Sequence, residues 1–104
     1  MEFKVLLTSR AQLDFRNITH YLNYELKSEQ ATISVIDDME NTIERLSYMA
    51  SRLKLCDDSR LRALGYRTIH FKRHNYFMLY RIQDGIVYVD AIYHDLQNYE
   101  DISQ

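Results

Sequence analysis

Apolar and polar positions change their period four times along this chain, and the changes mark its elements. Residues 2–7 alternate, with Phe3, Val5 and Leu7 set against Lys4, which predicts a short strand. From Ser9 the spacing becomes helical: Ala11, Phe15, Ile18, Leu22 and Leu26 form one apolar stripe. Ser9 and Gln12 have the spacing of a capping box and are expected to start this helix. A break near Lys27 and Ser28 leads into a second helix of roughly 20 residues. Its stripe is Ile36, Met39, Ile43, Leu46 and Ala50, and its outer face carries Asp37, Asp38, Glu40 and Glu44. Adjacent carboxylates on a helix point about 100° apart, so Asp37 and Asp38 read as part of a solvated acidic face rather than a metal site. The short connection predicts that the two helices pair as a hairpin.

Residues 51–65 have no clean period and are expected to form a connecting loop with a turn of helix. Between Tyr66 and His94 lie three short runs rich in aromatic and β-branched residues: 66–73, 74–82 and 86–94. Asp84 and Gly85 separate the last two and give a strong hairpin signal, because both residue types tolerate positive φ. The last run alternates throughout. Val87, Val89, Ala91 and Tyr93 fall on one side, and Tyr88, Asp90, Ile92 and His94 on the other. The first set, with Ile69 and Phe71, offers the helices an apolar surface. The decapeptide 95–104 is expected to form a short tail of one or two helical turns. The fold class is therefore α+β: a single domain, 1–104, of order β-α-α-β-β-β, with an antiparallel four-stranded sheet and a helical hairpin packed on one face.

Composition narrows the function. The chain of 104 residues suits one domain with a modest core. No run approaches the roughly 20 apolar residues of a membrane span, and the N-terminal apolar segment is too short for a signal peptide. Cys56 has no second cysteine to pair with, so a cytoplasmic setting is expected. The net charge of -2 argues against a general nucleic-acid binder. The charge is segregated, however. Residues 52–73 hold seven cations and two acids (+5), residues 1–51 sum to -3 and residues 74–104 to -4. A cationic band on an acidic domain can meet a polyanion. His70 and His74 flank a strand end, where their spacing does not converge, so no metal and no cofactor are expected. No glycine-rich phosphate loop is present.

Several ordered pieces carry a resemblance. They are Thr8-Ser9-Arg10-Ala11-Gln12-Leu13-Asp14, the L-R-A-L-G-Y-R of residues 61–67, the L-Y-R-I of 79–82, and the I-Y-H of 92–94 followed by Tyr99. In this order, and over essentially the whole chain, they resemble the RelE/ParE superfamily of bacterial type II toxins. The resemblance implies one of two activities. RelE-like members cleave mRNA in the ribosomal A site, whereas ParE-like members poison DNA gyrase. It also implies a cognate antitoxin protein that wraps the toxin, with operator DNA reached only through that antitoxin.

For metal-free RNA cleavage a base, an acid and a phosphate-binding cation are needed. By resemblance, His94 is the expected acid, Arg67 the phosphate clamp, and Tyr99 a residue that stacks or aids proton transfer. Arg62, Lys72 and Arg73 are expected to bind or steer the substrate, and Asp90 is the candidate base. Phe77 stands where the ribosome-dependent branch usually carries an arginine, and Asp95 follows His94 where that branch is basic. The expected function is ribosome-dependent mRNA cleavage; the two missing cations favour its alternative, a non-enzymatic gyrase inhibitor, and a degenerate member that only binds its antitoxin is the third reading.

Overall fold

The computed structural model of the chain describes residues 2–96. Strands β1 (Lys4–Leu7), β2 (Arg67–His70), β3 (Tyr76–Gln83) and β4 (Ile86–His94) form one sheet in the order β1-β4-β3-β2. β2, β3 and β4 make the expected antiparallel meander. β1 lies at an edge and runs parallel to β4, so the sheet is mixed rather than wholly antiparallel. The helices and strands β2 and β3 lie between β1 and β4 in the chain, and a connection of that length permits a parallel return.

Helix α1 (Ser9–His20) is capped one residue earlier than the sequence pattern suggested. The Thr8 hydroxyl accepts from the Ala11 N–H, and the Gln12 amide donates to the Leu7 carbonyl at 3.0 Å, not to the cap. Thr8 is better placed because its own N–H continues the β1–β4 ladder onto the Val89 carbonyl. α1 runs on into a π-helical turn, Tyr21–Glu25. Lys27 at φ 50° then reverses the chain, and Ser28 caps α2 (Glu29–Met49). The connection after α2 holds a 3-10 turn, Ala50–Arg52, and a short helix α3 (Ser59–Ala63) capped by Asp58.

The main core lies between the helices and one sheet face. Ala11, Val35, Met39, Leu46 and Ala50 meet Ile69, Phe71, Met78, Tyr80, Val87, Val89 and Ile92. The helices pack on this sheet face as predicted, but Val35 takes the core place expected of Ile36, which lines a surface groove, and Leu26 of the α1 stripe is exposed. The opposite face is not left open along its length. Cys56 and Leu61 cover Phe77, Leu79, Ala91 and Tyr93, with Tyr66 alongside.

The alternation of β4 fails at Asp90. Leu79 pairs with Ala91 but Tyr80 pairs with Val89, so Asp90 is an extra residue, a β-bulge. Beyond it the sides exchange. Ala91 and Tyr93 leave the helix face, and Ile92 joins Val87 and Val89 on it. A period-2 pattern cannot register an inserted residue. At the other end of the β3–β4 hairpin the turn reads as expected, with Asp84 at φ 53° and Gly85 at φ 78°.

Candidate functional site

His94 ends β4, paired with Tyr76 of β3, whose ring meets the imidazole edge-on at 5.4 Å. The bulge puts it on the helix side, where it lines a cleft of about 280 Å³ with Arg10, Asp14, Asn17, Ile18, Tyr21, Tyr76 and Tyr93. The cleft exists because β1 is shorter than β4. β1 covers β4 only as far as Val89, and beyond that α1 takes over the edge. There the Asp14 carboxylate accepts from the Ile92 N–H at 3.0 Å, and the Thr8 hydroxyl donates to the Asp90 carbonyl. Arg10 donates to Asp14 at 3.1 Å, and its guanidinium lies over the Tyr93 ring at 5.7 Å. Desolvation opposes the charge on Arg10, but the hydrogen bonds it donates to Asp14 and Tyr93, together with the Asp14 charge, outweigh it and the guanidinium titrates higher than usual. The His94 Nδ1 accepts from the Leu96 N–H at 3.2 Å, which places the proton of the neutral ring on Nε2.

Arg67 is not near this cleft. It pairs with Tyr80, four residues along β3 from Tyr76, which puts it roughly 13 Å along the sheet and about 10 Å across it from His94. Its guanidinium donates to the carbonyls of Ser51 and Leu53, so it staples the α2–α3 connection to β2. Arg62 donates to the Cys56 carbonyl at 3.1 Å in the same connection. The expected phosphate clamp and one expected substrate cation are therefore occupied with backbone. Tyr99 lies outside the described residues.

Asp90 does not share a face with His94 either. Its carboxylate accepts from the Tyr66 hydroxyl at 2.7 Å and from Arg81 Nε at 2.9 Å, and Arg81 also lies over Tyr88 at 4.6 Å. Burial, then the bond to Asp90, pushes the Tyr66 phenol up to about 12, with Arg81 partly opposing. A carboxylate held by two donors on the far side of the sheet is a poor base for chemistry at His94. Phe77 is buried in the second-face cluster.

The acidic face of α2 contains the largest departure from expectation. Asp38 is 1% exposed. Its carboxylate accepts from the N–H groups of Lys72, Arg73 and His74 at 3.2, 2.9 and 2.9 Å, and from His74 Nδ1 at 2.7 Å. Burial alone would push this carboxyl up. The hydrogen bonds from His74 and from the backbone of Arg73, Lys72 and His74 reverse that and hold it below the usual carboxylate range. Lys72 and Arg73 are exposed on the β2–β3 loop, at the same end of the sheet as His94. Arg10, Asp14 and Asp38 were not singled out as partners of this region. The one signal for the first two was their place in the Thr8–Asp14 motif.

A family model described as the ParE toxin of the type II toxin–antitoxin system, parDE, matches residues 5–99. No individually curated protein matches. Among solved structures, a chain of the chromosomal ParDE toxin–antitoxin system from P. aeruginosa superposes with a TM-score of 0.71 at 17% identity, covering 89% of this chain and 96% of that one. A chain of the RelBE2 toxin–antitoxin complex from Mycobacterium tuberculosis gives 0.59 at 20% identity, covering 90% and 99%. At such identities these likenesses establish the fold.

Proposed function

This chain belongs to the ParE toxin family of type II toxin–antitoxin systems, and from that premise we propose that it is a non-enzymatic toxin that inhibits DNA gyrase and is neutralised by a cognate antitoxin. One observation carries the choice between activities. The groups that RNA cleavage would need do not converge: Arg67 is bound to the Ser51 and Leu53 carbonyls, and Asp90 is held by Tyr66 and Arg81 on the face away from His94. A toxin that works by occupying its target needs surfaces rather than an aligned acid, base and clamp. Surfaces are available. Tyr24, Leu26 and Ile33 are more than half exposed around the tip of the two long helices, and a groove between them is lined by Phe15, Tyr24 and Ile36. That apolar tip supports a helical or extended antitoxin segment as its cover.

The test is direct. Purified protein added to DNA gyrase, plasmid and ATP is expected to accumulate cleaved gyrase–DNA complexes. Ribosomes given the same protein should leave A-site mRNA intact. The opposite result, with cleavage lost in His94→Ala, would overturn the proposal in favour of ribosome-dependent mRNA cleavage. That second reading keeps one observation on its side. His94 does line a cleft with a cation, Arg10, and three tyrosines, so Arg10 rather than Arg67 would face the phosphate.

A further inference from the structure

We infer that Asp38 is a positioning residue that holds Lys72 and Arg73 as a fixed pair of cations for an acidic segment of a partner protein. The observations are geometric. A buried carboxylate takes three successive backbone N–H groups and one imidazole, and all four come from one loop of five residues between β2 and β3. The carboxylate binds the loop through its backbone, so the ammonium of Lys72 and the guanidinium of Arg73 are not used to neutralise it. Among the described residues neither side chain forms a hydrogen bond or ion pair, and both residues are exposed. Three other cations of the basic segment are engaged, Arg62 and Arg67 with carbonyls and Lys54 with Asp57.

The loop is braced from its other sides too. Arg45 donates to the His70 carbonyl at 2.8 Å and to Thr42, whose hydroxyl in turn donates to the Asp38 carbonyl. His70 faces Asp95 at 3.4 Å, and the Asp95 N–H donates to the Asn75 carbonyl. A loop held this firmly loses little conformational freedom on binding, so its two charges contribute more to an encounter than mobile ones would.

A protein segment fits better than nucleic acid. Glu29 and Asp37 line the groove beside Arg73, together with the half-exposed Ile33. Two carboxylates next to the cations would repel a continuous phosphate backbone. A peptide can set its acids against Lys72 and Arg73 and an aliphatic side chain over Ile33.

Two measurements on the isolated chain test the inference. In amide exchange, the Arg73 and His74 N–H groups are expected to be protected in the wild type and to exchange roughly tenfold faster or more in Asp38→Asn, since bonds to a charged acceptor are lost. The β3 and β4 amides should stay protected. Unchanged loop protection in Asp38→Asn would overturn the positioning role. In titrations with a short synthetic peptide that alternates Glu and Leu, Lys72→Ala/Arg73→Ala is expected to weaken binding about fivefold, as for two exposed ion pairs. Asp38→Asn should weaken it too, but should cost nothing further in the doubly substituted background. Affinity independent of Lys72 and Arg73, tighter binding of duplex DNA than of the Glu/Leu peptide at equal charge, or an Asp38→Asn effect that persists without the two cations would each refute it.

Discussion

The two ends of the sheet carry similar residues and treat them differently. At the end where β2 begins, Arg67, Arg81, Asp90 and Tyr66 are all satisfied within the fold: guanidinium to carbonyl, and guanidinium and phenol to carboxylate. At the end where β4 finishes, the internal partners stop short of the surface. Asp38 absorbs the loop backbone, leaving Lys72 and Arg73 outward, and His94 lines an open cleft. The contrast teaches that a charged residue in a motif position indicates little until its internal partners are known. Arg67 and His94 both matched expected site positions, but Arg67 is engaged with the connection after α2.

Removing internal partners should separate the ends, and the largest effect belongs to Asp38. Asp38→Asn takes a charged acceptor away from His74 and three amides, and a loss of about 3 kcal/mol is expected in denaturant unfolding. The pH dependence follows from the sign of its shift. Because the folded carboxyl titrates below its unfolded value of 3.8, its stabilisation is fully present above that pH and is lost as pH falls through the lower folded value. Wild-type stability should therefore drop more steeply with acid below about pH 4 than that of Asp38→Asn. Parallel acid titrations of the two proteins would contradict this.

Next comes Asp90→Ala at the other end. It leaves the Tyr66 hydroxyl and Arg81 without their shared acceptor, and a cost of about 2 kcal/mol is expected by thermal or denaturant melts. The Tyr66 phenol should also titrate lower in ultraviolet absorbance, nearer the ordinary tyrosine value, once the carboxylate is gone.

Arg67→Ala is expected to cost about 1 kcal/mol, through the Ser51 and Leu53 carbonyls, and to leave growth inhibition unchanged on induced expression. If toxicity disappeared while the melt stayed put, Arg67 would belong to a functional surface after all. The smallest stability effect is expected at His94→Ala, within about 0.5 kcal/mol, as for a strand-end residue outside the core. Its toxicity then reads out function without a folding artefact. Retained toxicity sharpens the gyrase reading, and lost toxicity breaks it.

Much of the fold was legible because burial imposes periods. The α1 and α2 stripes, the reversal near Lys27 and Ser28, and the Asp84-Gly85 turn follow from local rules, and the structure places them as expected except that Leu26 is exposed and Val35 takes the core place expected of Ile36. The family is legible by resemblance instead, since its motifs are spread in order along the chain. What local rules cannot carry is a partner distant in sequence. Asp38 looked solvated because its neighbours on the helix are acidic, whereas its ligands lie 34 to 36 residues away. The parallel placing of β1 depends on how the long crossover returns.

The Asp90 bulge decided which side of the sheet His94 faces, and one inserted residue in a strand leaves no mark in an alternating pattern. The amino-acid sequence by itself thus determined the elements, the apolar faces up to the bulge and the kinship. Which charges remain available to a partner was settled only when β4, α2 and the β2–β3 loop came together. Charge is neutralised by whatever lies within about 3 Å in space, and chain order does not encode that distance.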